Sequence, residues 1–176
     1  MSLNCSEFVE YDEVVECIEY TGGNSQMILV NQGVTIDPED EASVQAAIDA
    51  GDAALIPNVS VGINDPEAIR IDSRIACQPQ AVINYNRSAV ITDGKVTDQN
   101  ILFWNSNNAS TGRRFGMAII YSCSHNEQMV ISAPILAIGG YINPQSDEEG
   151  QQFNLTLEWK YPSDPLKTAA NPLFTA

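Results

Sequence analysis

Three stretches of the chain alternate apolar and polar residues with period two. In AIRIDSRIAC, Ile69, Ile71, Ile75 and Cys77 fall on one side, while Arg70, Asp72 and Arg74 fall on the other. In FGMAIIYSC, Phe115, Met117, Ile119, Tyr121 and Cys123 share a side. In FNLTLEWK, Phe153, Leu155, Leu157 and Trp159 oppose Asn154, Thr156, Glu158 and Lys160. Side chains of a strand project alternately to its two faces, so these patterns predict half-buried β-strands. Antiparallel sheets with one wet face produce such alternation, whereas buried parallel sheets do not. Weaker strands are read in EVVECIEY, QMILVNQGVTI, VSVGI, QAVINYN, SAVIT, ILFW and QMVISAPILAI. Pro134 places the last at an edge or splits it in two, because proline donates no ladder hydrogen bond. Asp93–Gly94 in VITDGKVT predicts a two-residue hairpin turn.

One helix is predicted, over about residues 38–50. Asp37 is its expected N-cap and Pro38 its first residue, with Glu39, Asp40 and Glu41 complementing the positive end of the helix dipole. Val44, Ala47 and Ile48 form a narrow apolar stripe, and Gly51 ends the helix. Such a slim, alanine-rich stripe suits a helix lying flat on a sheet. The expected fold is therefore mainly β: an antiparallel β-sandwich or barrel with one flanking α-helix. With 176 residues and no internal repeat, one domain spanning 1–176 is expected. It carries an N-terminal arm at 1–12 and a Pro-rich tail at 161–176, where Pro162, Pro165 and Pro172 argue against regular structure.

Charge changes the picture. The net charge is −15, and it is unevenly spread. The first 69 residues hold 14 Asp and Glu and no Lys or Arg. Six of the 8 Lys and Arg, namely Arg70, Arg74, Arg87, Lys95, Arg113 and Arg114, lie between positions 70 and 142. Specific nucleic-acid binding is not expected of so acidic a chain, because the phosphate electrostatics oppose it. No apolar run approaches the ~20 residues of a membrane span. The opening MSLNCSEFVEYDE lacks a basic and an apolar region, so no export signal and no membrane association are expected. Cys5, Cys17, Cys77 and Cys123 form no CxxC pair; free thiols are the expectation in the absence of export. The five Asn-x-Ser/Thr sequons are likewise read as a consequence of abundant asparagine.

Catalytic chemistry finds little footing. The single histidine, His125, neighbours Cys123 and Glu127, yet nucleophile–base partners are normally distant in sequence, and a turn histidine is the better reading. The acidic clusters Asp37–Glu41 and Asp147–Glu149 lack the spacing and glycine of a calcium loop. Gly22–Gly23 lacks the GK[ST] ending of a phosphate loop. Trp104, Trp159, Tyr85 and Tyr121 could build a sugar platform, although Trp159 belongs to an apolar strand side and reads as core. No enzyme activity, cofactor or metal is expected. Unpatterned arms and segregated charge point instead to an assembly subunit in which the acidic part of one copy meets the basic part of the next.

The order of elements resembles that of virion structural proteins, and most closely the tail tube subunit of tailed bacteriophages. The resemblance rests on an acidic N-terminal arm, strands before a single flanking helix, and the later strands RFGMAIIYSC, QMVISAPILAI and QQFNLTLEWK. It covers roughly Tyr11 to Lys160. It implies a homo-oligomer of stacked hexameric rings, with sheets lining an acidic channel through which DNA passes. It also implies other virion proteins as partners, and location in the virion after assembly in the host cytoplasm. The loop bridging stacked rings would be Asn105–Arg114 or Gly22–Asn31. From charge, the interface residues are expected to be Arg70, Asp72, Arg74, Arg113 and Arg114 against Glu7, Glu10, Glu13 and Glu16. The alternatives are a capsid decoration or head–tail connector protein, and an exported carbohydrate- or receptor-binding β-sandwich using Trp104 or Tyr85.

Overall fold

A computed structural model describes residues 24–71, 81–122, 127–142, 151–161 and 165–174. The chain is mainly β and antiparallel, as the alternation predicts. The strands are β1 (Asn24–Asn31), β2 (Ala53–Ile63), β3 (Glu67–Ile71), β4 (Ala81–Asp93), β5 (Phe115–Ser122), β6 (Glu127–Ile131), β7 (Ile135–Ile142), β8 (Gln152–Lys160) and β9 (Leu166–Ala169). Helix α1 (Glu41–Asp49) follows β1, and helix α2 (Asp98–Ser106) joins β4 to β5. The strand path runs β1-β2-β4-β8-β7-β5-β6-β9, and β1 also pairs with β5. The path thus returns on itself through six strands, which makes a barrel out of the sheet.

Closure sorts the apolar residues into an inside and an outside. Met27 and Leu29 of β1 join Ile91, Phe115, Phe153, Leu155 and Leu157 in the interior. Ile28 and Val30 point outward and pack with Leu55, Ile119 and Tyr121 beneath α1. Val44 and Ala47 are the buried residues of α1, so the helix lies on the sheet as its stripe requires. Each fully buried Leu, Ile or Phe contributes roughly 1.5–3 kcal/mol, and β1 is completely buried from Met27 to Val30. β8 shows the predicted alternation, with Phe153, Leu155, Leu157 and Trp159 buried. Pro134 does split its segment: β6 and β7 are separated at Ser132–Pro134, β6 pairing with β5 and β9, and β7 with β8.

Several expectations are corrected. α1 begins at Glu41 with Asp40 as N-cap, whose side chain accepts from the Ala42 amide. Asp37 instead accepts from the Glu39 amide at 3.1 Å, closing a turn that delays the helix. Gly51 stands one place beyond the Ala50 cap with φ 74°, where its freedom at positive φ is used. The segment ILFW is not a strand but part of α2, which Thr97 caps by accepting from the Asn100 amide. Asp93–Gly94 accordingly forms no hairpin. The Asp93 carboxylate accepts from the Lys95 amide at 2.9 Å and from Trp104 Nε1 at 2.9 Å, turning the chain into the helix. QAVINYN and SAVIT are one strand, β4. β5 has no wet face: Phe115 points inward, whereas Met117, Ile119 and Tyr121 point outward under α1. A one-residue bulge at Gly116 reverses the facing, since Val30 opposes Met117 and Asn31 opposes Phe115. The tail is structured as well. β9 pairs with β6, and a 3-10 turn at Pro172–Phe174 stacks Phe174 on Tyr121 at 4.9 Å. Of the stretch 22–31, the described part, Asn24–Asn31, is strand β1 rather than a loop.

The tail is held by a small polar knot. Gln128, 1% exposed, donates to the Pro38 carbonyl and to Thr168 Oγ1 and accepts from the Asn171 amide, each at 3.0 Å. Asn171 Nδ2 donates to the same Pro38 carbonyl. β6, the approach to α1 and the tail are thereby fixed together.

Gly139 gives a test of the β7–β8 packing. It has φ 129°, and a Cβ there would press into the Asn154 carbonyl oxygen and stand 2.9 Å from Leu155 Cα. Gly139→Ala should cost at least about 3 kcal/mol from backbone strain and overpacking, read as a lower urea midpoint. Gly94→Ala, with open space around it, is the control that stays close to wild type.

Candidate assembly surface

β4 is 13 residues long, but β8 accompanies it only from Asn86 to Asp93. Tyr161 adds one bond, its amide donating to the Tyr85 carbonyl at 3.2 Å. On its other edge, β4 is followed first by β2 (Val59–Ile63) and then by β3 (Glu67–Ile71). Asn64 holds the junction between them, its amide donating to the Ser88 carbonyl and its Nδ2 to Ser88 Oγ. The result is a two-stranded ribbon, β3 with Ala81–Tyr85, that runs past the end of the barrel.

The ribbon keeps apolar side chains in water. Ile71 is 52% exposed, Ile83 53% and Val82 44%. Ile83 is the extra residue of a bulge, since Ile69 opposes Asn84 and Arg70 opposes Val82, so the regular facing of Tyr85, Arg87 and Ala89 along β4 ends before it. A lone two-stranded ribbon is marginal in water. Its edges are open too: among the described residues, β3 pairs only with β4, and Ala81–Asn84 of β4 pair only with β3. Unprotected edges of this kind invite another strand. Arg87 anchors the root of the ribbon. It is 8% exposed, donates from Nε to the Tyr161 carbonyl at 3.1 Å, and lies over the Tyr85 ring at 5.3 Å, a cation–π contact.

At the root lies a groove of about 650 Å3. One rim carries Asp65 and Glu67, the other Arg114 with Pro134, and Glu158 and Lys160 of β8 lie between them. The register explains the order. Glu67, Asn86 and Lys160 form one row across β3, β4 and β8, and Ser88, Glu158 and Leu136 form the next across β4, β8 and β7. Among the described residues, no hydrogen bond or ion pair engages the side chains of Asp65, Glu67, Arg114, Glu158 or Lys160, whereas Lys167 and Glu127 meet at 3.9 Å elsewhere.

The residues expected from charge separate. Arg113 turns inward, half-buried, and donates from Nη2 to Asn31 Oδ1 at the end of β1. Arg114 is exposed and faces the groove. Arg70 is exposed on β3. Asp72, Arg74, Glu7, Glu10, Glu13 and Glu16 lie outside the described residues, as do His125 and all four cysteines. The stretch Asn105–Arg114 ends α2 and packs on β7, Asn108 Nδ2 donating to the Gly139 carbonyl. Trp104 is 1% exposed and Tyr121 is buried against Phe174, so neither offers a sugar platform. Asp65, Glu67, Glu158 and Lys160 were not distinguished by sequence pattern. The signal available was Asp65–Pro66, a turn-favouring pair between two strand patterns.

Among the described residues no group of His, Cys, Asp and Glu has the arrangement of a metal site, and no helix is long and apolar enough to cross a membrane. Comparison with protein-family models, with curated proteins and with solved structures finds no match.

The two adjacent arginines should behave differently on truncation. Arg113→Ala should destabilise the chain by about 1.5–3 kcal/mol, the range for a charged hydrogen bond. Arg114→Ala should stay within about 0.5 kcal/mol of wild type, as an exposed side chain with no partner among the described residues does. Urea unfolding of both variants checks this, and equal losses would contradict the placement.

Proposed function

We propose that this chain is a structural subunit that assembles head to tail into rings. The ribbon that outruns the barrel carries this reading. Its two open edges are different surfaces, β3 on one side and Ala81–Asn84 of β4 on the other. Joining the first edge of one copy to the second edge of the next is therefore a heterologous contact, which closes into a ring or grows as a filament. The joined strands are antiparallel throughout, because β3 already runs antiparallel to its own β4. Strand addition satisfies the open backbone groups and lays a further strand beside the exposed Ile71 and Ile83.

The specific assembly proposed is a hexameric ring stacked into a tube, as in the tail tube of bacteriophages, whose element order the sequence resembles. Joined ribbons would form the channel wall. A net charge of −15 suits a channel through which DNA slides without adhering, since like charge opposes phosphate contact. The role is architectural, the location the virion, and the partners are further copies of the chain and other virion proteins.

The double variant Ile71→Glu/Ile83→Glu tests the reading. Both side chains are more than half exposed, so monomer unfolding should change little, while a charge placed on each of the two joining strands should abolish rings. Negative-stain microscopy and light scattering give the readout. Wild-type rings with sixfold symmetry that vanish in the variant support the proposal. A variant that forms rings as well as wild type removes the ribbon from the interface.

A further inference from the structure

Assembly into rings by strand addition leaves the register between copies undetermined, because backbone hydrogen bonds of a strand edge do not choose their partner residue. Resting on that ring reading, we infer that the root groove supplies the choice: the acidic rim of one copy, Asp65 and Glu67, docks on the basic residues of the next copy's groove, Lys160 and Arg114.

The strand columns dictate the placement. β8 runs antiparallel to β4 and ends at Lys160, opposite Asn86, with the Tyr161 amide adding a last bond to the Tyr85 carbonyl. An incoming β3 that pairs with Ala81–Asn84 occupies the same column further along, in the same direction as β8. Its first residue, Glu67, then lies closest to the end of the resident β8. The Asn64–Pro66 junction that precedes it reaches down beside Lys160 and toward Arg114. Within one copy Glu67 and Lys160 do not meet. Glu67 and Lys160 flank Asn86 on opposite sides, two strand spacings or about 10 Å apart, and no ion pair joins them. The charges would thus be satisfied between copies, while among the described residues of a single copy they are left open.

The chemistry suits a register device. Arg114 presents a planar fork to carboxylates and Lys160 a mobile ammonium. Glu158, two residues before Lys160 on the same side of β8, opposes the incoming acids, so the attraction depends on Lys160 and Arg114 together. A slip by one residue turns the incoming Glu67 to the other side of the sheet and leaves both cations without partners. Exposed single pairs add little, but two cations desolvated under an incoming strand discriminate between registers.

The experiment is a complementation. Asp65→Lys/Glu67→Lys makes both rims basic, and Arg114→Glu/Lys160→Glu makes both acidic. All four positions are exposed, and thermal unfolding confirms that each variant is folded. Each variant alone should sediment as monomer under conditions where the wild type forms rings. An equimolar mixture should restore rings, because every interface in an alternating ring again joins opposite charges. Either variant assembling alone like wild type, or a mixture that stays monomeric, overturns the docking of these rims while leaving the ring reading in place. A wild-type chain that remains monomeric at every concentration and salt overturns the ring reading itself, and the docking with it.

Discussion

Pairing of β1 on both edges is the constraint on which the rest of the molecule depends. β2 takes one edge and β5 the other, and only this double pairing turns a strand path into a closed surface with an interior. Closure makes both sides of β1 valuable. Its Met27 and Leu29 complete the inner core, and its Ile28 and Val30 create an outer apolar patch that needs a second cover. α1 and the Pro172–Phe174 turn are that cover, and the Gln128–Asn171–Pro38 knot keeps them in place. The bulge at Gly116 lets β5 serve both cores from a single strand.

A barrel closed in this way has strands of unequal length, and the inequality has a consequence. β4 continues where β8 stops, so its first residues and β3 leave the barrel as a ribbon. The ribbon holds the most exposed apolar side chains of the described sheet, Ile71 and Ile83. Arg87 stiffens its root by gripping Tyr161 and lying over Tyr85. The groove beside that root gathers charges of both signs that find no partner among the described residues. An open edge and unpaired charges at the same place are what a subunit would keep ready for a neighbour, and they connect the strand register to the proposed assembly.

Legibility in the sequence varied with how local each determinant was. β8 could be read residue by residue because one of its sides faces the core and the other faces water. α1 was legible to within a turn, the error arising because Asp37 and Asp40 are both competent caps and only the turn closed on Asp37 selects the second. α2 was missed because Ile101, Leu102, Phe103 and Trp104 carry strand-like propensity. Thr97 and the Asp93–Trp104 hydrogen bond override it. β5 was read as half-exposed because its alternation is strict in sequence, whereas a bulge shifts its facing in space. Of the candidate surface, Arg70 and Arg114 were visible as rare bases in an acidic chain. Asp65, Glu67 and Lys160 were not, since nothing in their neighbourhoods sets them apart until three strands align them.

Sequence alone determined the antiparallel β class, the single-sided burial of β8, the flat-lying first helix, the break at Pro134 and the segregation of charge. All of these follow from periodicity, proline chemistry or composition, which act within a few residues. The tertiary structure decided barrel closure, the opposite fates of Arg113 and Arg114, the exposure of Ile71 and the meeting of Glu67, Asn86 and Lys160 in one row. These depend on which strand lies beside which and where each one stops. An alternating strand specifies that one side is apolar, but only its partners decide whether that side meets a core, a helix or water.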